Sequence, residues 1–422
     1  MSDIPSMISL EEARALVLSH IEPLPTEDVD LLESTGRVAA ADMASDMDVS
    51  PFAHAAMDGF ALCAAELADA SHDRPVELDV IAEVPAGGTF EGLVGPGQCV
   101  RIMTGAALPD QLDSVVKYEI VETVRGDGKT GSRVRFARPC ELGSNVRPAG
   151  DEAREGETVL HAGEIIHPAG VGFLAGCGVM RVPVHRRPRV AVIPIGSELV
   201  EPPAKPEAGH IRNSNGYAMA ACVRDAGGLC DIMPIVIDDE ELLAQAVRAA
   251  AADHDFVITT GGASNGDFDF IKPVVERLGT LYMTTVNMRP GKAQTFGMVD
   301  GTPVFGLPGN PAAAYMGFSL LIRPALRTMQ GYAALEHPHV MARITVSKTK
   351  KDPRRIFSRA TIARGADGTL EVTPAKNQSS GLFGVIQRSN CVAIMPEGLD
   401  PVHAGDMVEC ILLDAPEEIA LR

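Results

Sequence analysis

Between residues 183 and 330 four apolar runs of strand length recur: VAVIPI (190–195), DIMPIVI (231–237), DFVITT (255–260) and TPVFGL (302–307). Helix-like stretches stand between and after them: NGYAMAACVRDAG, DEELLAQAVRAAAAD, DFDFIKPVVERLG and PAAAYMGFSLLIRPALRTMQG. Strands that are apolar on both faces and alternate with helices predict a parallel sheet covered on both sides. A ligand is then expected where the carboxyl ends of strands meet helix N-termini.

The pattern changes on either side of this stretch. SLEEARALVLSHI (9–21) has apolar residues at helical spacing, with Ser9 and Glu12 in a capping-box arrangement. VDLLESTGRVAAADM follows, reaching a turn at Gly36 and then a short strand. From 46 to 149 short runs such as VELDVIAEV, DSVVKYEIVETV and SRVRFARP are punctuated by GG, PG and DGKTG, which predicts a compact antiparallel β domain. Residues 150–182 return to mixed strand and helix, and 331–422 again read as short strands. The expected fold is multidomain α/β and β. A mixed α/β linking domain (1–45 with 150–182) is interrupted by an inserted β-rich domain (46–149), then come the α/β domain (183–330) and a small barrel-like β domain (331–422).

Composition narrows the function. Acidic residues outnumber basic ones by 56 to 37, a formal net charge of -19. Such a balance repels nucleic acid and anionic membrane, so neither is an expected partner, while a local basic site can still hold an anion. No apolar run of transmembrane length and no signal-peptide pattern occur, and the expected location is the cytoplasm. The eight cysteines form no CxxC pair and are expected to be reduced thiols.

Polar loops cluster at the predicted ligand edge. TTGGASNGDFDF (259–270) follows a strand, and Gly261 and Gly262 let backbone approach a ligand. Ser264 and Asn265 can bond phosphate oxygens. Asp267 and Asp269 repel phosphate unless one caps the helix or holds a divalent cation, so a capped turn and a cation-assisted phosphate site both fit. GLPGNPAAAY (306–315) offers Gly309 and Asn310, and NMRPGKAQTF (287–296) brings Arg289 and Lys292. Glu198 in IGSELV, Asn213 to Asn215, and Asp238 with Asp239 follow the other strands. Elsewhere AMDG presents Asp58, RIMTG presents Thr104, and SNVRPAGDE presents Arg147, Asp151 and Glu152, each within a turn by default.

Taken in order, AMDG, RIMTG, NVRPAG, GGASNGDFD, RPGKAQTFG and LPGNPAAA resemble the molybdopterin molybdenumtransferase family, which includes the C-terminal domain of gephyrin. The resemblance runs over nearly the whole chain. It implies a homodimer of four-domain subunits whose central domain has the molybdopterin-binding, three-layer α/β fold. It also implies a reaction in which adenylylated molybdopterin and molybdate give molybdenum cofactor and AMP with Mg2+. Recipient apo-molybdoenzymes and a molybdopterin adenylyltransferase are the partners it implies. By motif position, Asp58, Thr104, Arg147, Glu198, Asp238, Asp269 and Ser380 fall in the family's active region, with Asp239 as the alternative to Asp238. Glu198, Asp238 and Asp269 are then the metal candidates, and Arg289 and Lys292 the candidates for phosphate or molybdate. Gly261, Gly262, Ser264, Asn265, Asp267, Gly309, Asn310 and Ser380 are the candidates for holding the pterin nucleotide.

Several positions depart from the family's pattern. PFDNSAMDG appears as PFAHAAMDG, with Ala53 for an acid and His54 for an amide; GDEL appears as GSEL, with Ser197 for Asp. GED becomes GDE, ending in Glu152; a lysine at a strand end aligns with Thr285, and the MKPG-type lysine is Arg289. Loss of a lysine beside an oxyanion keeps a second function class in view, a non-catalytic protein that binds or delivers molybdopterin or its finished cofactor. A dimeric scaffold is the third.

Overall fold

The computed structural model describes residues 7–262 and 270–413. The chain divides into two compact units, one of Met1–Glu27 with Pro183–Arg422 and the other of Asp28–Val182. The first helix, α1 (Leu10–Leu18), opens on the expected capping box: the Ser9 hydroxyl accepts the Glu12 N–H at 3.2 Å and the Glu12 carboxylate accepts the Ser9 N–H at 2.8 Å. Its buried residues Leu10, Ala13 and Val17 join the core of the α/β region.

The unit Asp28–Val182 is built on six strands, β1 (Gly59–Leu62), β2 (Val76–Val84), β3 (Gln98–Ile102), β4 (Ser114–Lys117), β5 (Glu122–Arg125) and β6 (Arg133–Phe136). They lie in the order β4-β1-β3-β2-β6-β5. The sheet is not purely antiparallel as its texture predicts, because β2 and β3 run parallel. Their 13-residue connection, 85–97, is long enough to return the chain to the end where β2 began, which a tight hairpin does not do. Alternation then sends Phe60, Leu62, Leu78 and Val80 to one core and Ala61, Val100, Ile102 and Val115 to the other. The segments flanking this sheet are bonded to each other, Val49 N–H to Ala153 O at 2.8 Å and Ala39 N–H to Glu164 O at 2.9 Å. Helix α2 (Pro168–Gly176) follows.

In the other unit a six-stranded sheet is formed by β7 (Arg189–Pro194), β8 (Leu229–Ile232), β9 (Phe256–Thr260), β10 (Gly279–Thr285), β11 (Ala293–Val299) and β12 (Thr302–Leu307), in the order β8-β7-β9-β12-β11-β10. The first four in that order are parallel, as the apolar runs predict. The sheet is nevertheless mixed, since β11 and β10 are antiparallel additions. Asp300 and Gly301 adopt φ of 50° and 84°, the left-handed pair that a two-residue hairpin between β11 and β12 requires. The run 231–237 is strand only to Ile232; Pro234 lacks a donor for the ladder, and Val236 touches β7's continuation through one bridge to Ile195.

Helices α3 (Ser214–Asp225), α6 (Pro311–Gly317) and α7 (Arg323–Met329) cover one face together with α1, while α4 (Glu240–Asp253) and α5 (Ile271–Leu278) cover the other. The single helix expected over 311–331 is interrupted by a π-helical turn, Phe318–Ile322, just before Pro324, whose missing N–H breaks the regular ladder. Five more strands, β13 (His339–Ile344), β14 (Arg355–Arg364), β15 (Leu370–Pro374), β16 (Cys391–Met395) and β17 (Met407–Leu412), close into a barrel because β14 pairs with both β15 and β16. Met288–Arg289 pair in parallel with the start of β14, tying the barrel to the loop after β10. The eight cysteines are free thiols, and among the described residues no helix is long and apolar enough to cross a membrane.

Candidate active site

The carboxyl ends of β7, β9 and β12 open into a cavity of about 910 Å³ lined by Glu198, Asp238, Gly261, Gly262, Lys292 and Asn310 among others. Six glycines, Gly196, Gly261, Gly262, Gly291, Gly309 and Gly381, lie in its wall. Gly261 has φ 91°, and a Cβ there would lie 2.2 Å from the Ile195 carbonyl oxygen, so only glycine fits. Its N–H donates to Leu307 O at 3.1 Å, joining the ends of β9 and β12. Gly309 also lines the cavity, and its carbonyl accepts the Asn215 Nδ2 at 2.8 Å; Asn215 Oδ1 is buried without a hydrogen-bond partner among the described residues. Asn310 precedes α6, which has proline in its first turn, and its carbonyl accepts the Ala313 and Ala314 N–H groups, each at 3.0 Å.

Among the described residues two carboxylates line this cavity. Asp238 is clasped to the loop after β7: the Ser197 N–H donates to Asp238 Oδ2, and the Asp238 N–H donates to the Ser197 hydroxyl, both at 3.0 Å. Glu198 folds back over Gly196, where a Cβ would lie 2.4 Å from Glu198 Oε2. Asp239 is employed otherwise, capping α4 through the Leu242 N–H at 2.8 Å. Asn213 likewise caps α3 through the Gly216 N–H at 3.0 Å. The described residues contain no group of three or more His, Cys, Asp or Glu arranged for a metal. Two hard carboxylates do fit Mg2+, which keeps several waters and fills its octahedron from substrate phosphates.

A second cavity of about 580 Å³ meets the first at Gly291, Asn310 and Ala313, and its chemistry is opposite. Arg289, Lys351, Arg354 and Arg359 line it with Ser358 and Ser380. Arg359 sits on β14 and is only 1% exposed. One guanidinium nitrogen donates to Ser379 O at 3.0 Å, while its Nε has no partner among the described residues, and burial pulls its pKa below the ordinary arginine value. Gln378 grips the backbone of Arg359 from both sides, accepting its N–H at 3.1 Å and donating to its carbonyl at 2.8 Å. The Ser380 carbonyl accepts the Ala312 N–H of α6 at 2.8 Å. Asp352 lies between Arg354 and Arg289, and hydrogen bonding from Arg354 holds its carboxyl well below the usual carboxylate range.

The remaining candidates lie in the unit Asp28–Val182. Asp58 Oδ1 accepts both the Thr104 N–H at 2.7 Å and the Thr104 hydroxyl at 2.6 Å, and that hydroxyl, then that N–H, keeps the Asp58 carboxyl below its ordinary value. Arg147 is the antiparallel register partner of His54, so both side chains leave one face of the ribbon. Ser264, Asn265, Asp267 and Asp269 lie outside the described residues.

Residues 8–178 match the family model for the MoeA N-terminal region (domain I and II), 191–328 that for the probable molybdopterin binding domain, and 342–413 that for the MoeA C-terminal region (domain IV). A molybdopterin molybdenumtransferase of Staphylococcus aureus (strain COL) is 34% identical over 414 residues, 97% of either chain. The chain belongs to the molybdopterin molybdenumtransferase family. Another member, from Staphylococcus epidermidis (strain ATCC 12228 / FDA PCI 1200), is 33% identical over 412 residues, 97% of this chain and 96% of its own. The molybdopterin biosynthesis MoeA protein of Pyrococcus horikoshii superposes with a TM-score of 0.81 at 30% identity, covering 97% of this chain and 100% of that one.

Against the molybdenumtransferase pattern, the departures fall in distinct places. Ser197 supplies the clasp on Asp238. Thr285 ends β10, is 7% exposed, and is absent from the described lining of both cavities. Arg289 and Lys292 divide between the two, Arg289 in the basic pocket and Lys292 in the larger cavity. Sequence reading passed over Lys351, Arg354 and Arg359. The signal for Arg359 was present: RRIFSRATIAR carries an arginine at the centre of the run IFSRATIA, whose other residues are apolar or small and uncharged.

Proposed function

We propose that the chain is a molybdopterin molybdenumtransferase that inserts molybdate into adenylylated molybdopterin, giving molybdenum cofactor and AMP. The reading is carried by one observation: an acid-lined mouth rich in glycine shares a wall with a pocket of four cations, one of them a buried arginine whose Nε has no partner among the described residues. The larger cavity holds the pterin nucleotide, with Gly261, Gly262 and Gly309 permitting close approach and Lys292 meeting phosphate. The basic pocket holds molybdate, with Arg359, Arg289, Arg354 and Lys351 offering charge and Ser358 and Ser380 offering hydroxyls.

Among the described residues Glu198 and Asp238 would hold Mg2+, with the Ser197 clasp restraining Asp238, and the cation would supply neutralisation of phosphate charge that the two carboxylates otherwise repel. Fixed donors around the oxyanion act most strongly where water is excluded, which favours the buried Arg359. We take the protein to be a cytoplasmic homodimer, acting between a molybdopterin adenylyltransferase and recipient apo-molybdoenzymes; light scattering at twice the chain mass checks the dimer.

The deciding experiment mixes purified protein, adenylylated molybdopterin, molybdate and Mg2+, and follows AMP together with activation of an empty molybdoenzyme. AMP released in step with activation supports the reading. Tight pterin binding with no AMP above a protein-free control selects a delivery protein instead.

A further inference from the structure

Asp352 lies between two of the pocket's cations, on the connection between β13 and β14, with a side chain 14% exposed. Its Oδ1 accepts from the Arg354 backbone N–H at 3.0 Å and from Arg354 Nε at 2.9 Å; its Oδ2 accepts from an Arg354 terminal nitrogen at 2.5 Å and from Arg289 Nη1 at 3.1 Å. Among the described residues it is the one carboxylate bonded to any of the four lining cations. The two arginines are held unequally. Arg354 is fixed by a fork onto Asp352, by its own N–H, and by a further bond to Met288 O at 3.2 Å. The Arg289 side chain is 52% exposed and, among the described residues, has a single hydrogen bond, to Asp352.

We infer that Asp352 is a built-in competitor for the oxyanion: it occupies a guanidinium end of Arg289 that the ligand uses, so that binding exchanges one anion for another. This rests on the assignment of the basic pocket to molybdate. The chemistry favours an exchange because a carboxylate and a tetrahedral oxyanion ask for the same planar fork of donors. Arg354 stays in place as a fixed wall, while Arg289, tethered by one bond on a long exposed stem, moves. A dianion among four cations is opposed in this way by one resident negative charge, which weakens its hold and speeds its departure.

A supporting carboxylate and a competing one predict opposite signs. If Asp352 merely positioned the arginines, removing its charge would weaken oxyanion binding. As a competitor, its removal tightens binding. Molybdate binding to the full chain, measured by calorimetry at fixed ionic strength, distinguishes the two. Asp352→Asn should bind molybdate roughly tenfold more tightly, the scale expected for one charge at partly screened range. Its thermal midpoint should fall at the same time, because the arginines lose their partner. Asp352→Glu, which retains the charge, should stay near wild type. Adding Arg289→Ala to Asp352→Asn should abolish the gain.

Equal or weaker binding by Asp352→Asn, with wild type binding normally and Arg359→Ala binding poorly, overturns the competitor and leaves the pocket assignment intact. Wild type that binds no molybdate, or binds it as well after Arg359→Ala, overturns the pocket assignment and the competitor with it.

Discussion

The cavity at the carboxyl ends of β7, β9 and β12 has six glycines in its wall, where backbone is open to a ligand, whereas the pocket beside the barrel has, among the described residues, none but Gly291 and is rich in guanidinium groups; the two meet at Gly291. Backbone at strand ends is rigid by construction: its donors and dipoles are set by the sheet and need no further support. Long cationic side chains lose rotamer freedom when they are held, so each needs a restraint. The Arg359 side chain has Ser379 O, with Gln378 fixing the backbone beneath it, and Arg354 and Arg289 have Asp352. Rigid backbone suits the larger, fixed ligand, and restrained but movable cations suit a small anion that arrives and leaves. Substitutions in the two walls should therefore fail in different ways, the first through the fold and the second through affinity.

The largest effect is expected at Gly261. A Cβ there meets the Ile195 carbonyl oxygen at 2.2 Å, and φ of 91° is already costly for any side chain. Gly261→Ala should lose roughly 3 kcal/mol of stability or more, read as a lowered denaturant midpoint. A neutral result would mean that the junction of β9 and β12 is pliable, and the contrast between the walls would collapse.

That wall was largely legible from residue order alone, and the reason is locality. TPVFGL and DFVITT are apolar throughout, and GG and PGN follow them within a few residues, so strand, turn and mouth appear in one stretch of chain. Strands β10 and β11 were not legible in the same way. The alternation of β10 covers only Leu281 to Thr285, and β11 buries Gln294, Thr295 and Gly297 among its apolar residues, so neither stretch has the composition of the apolar interior strands. The basic pocket was least visible. Its residues come from 289–291, 349–359 and 378–380, and only pairing between Met288–Arg289 and β14, with the Ser380 bond to α6, assembles them. Asp238 and Asp239 could not be separated by spacing, since the choice depends on which one caps α4.

Next in size is Arg359→Ala. A charge-assisted hydrogen bond is worth about 1.5–3 kcal/mol, so the molybdate concentration for half-maximal AMP release should rise roughly 10- to 100-fold. Affinity for the pterin nucleotide, held in the other wall, should stay within about twofold. Loss of both affinities together would show that the two cavities act as one and cannot be assigned separately. Arg359→Lys should recover only part of the loss, because a point charge does not reproduce the planar fork.

Asp238→Asn tests the acidic side of the larger cavity. The Mg2+ concentration for half-maximal rate should rise on the order of tenfold, since a hard cation loses one of its two described carboxylates. The molybdate requirement should not move. Asp239→Asn, by contrast, retains a capping oxygen for the Leu242 N–H and should leave the Mg2+ requirement unchanged. A shift for Asp239→Asn and none for Asp238→Asn would reverse the assignment.

The smallest effect should come from Ser197→Ala, and it separates orientation from charge. The substitution removes the hydroxyl that accepts the Asp238 N–H but keeps the Ser197 N–H that donates to Asp238 Oδ2. One of two bonds in the clasp survives, so Asp238 keeps its charge and loses part of its restraint. A net hydrogen bond of about 0.5–1 kcal/mol corresponds to a two- to fivefold rise in the Mg2+ requirement. Combined with Asp238→Asn, Ser197→Ala should add nothing, because the residue acts through Asp238 alone. Additive losses in the double variant would mean that Ser197 meets the cation or its water shell directly, and the loop after β7 would then contribute a side-chain ligand of its own.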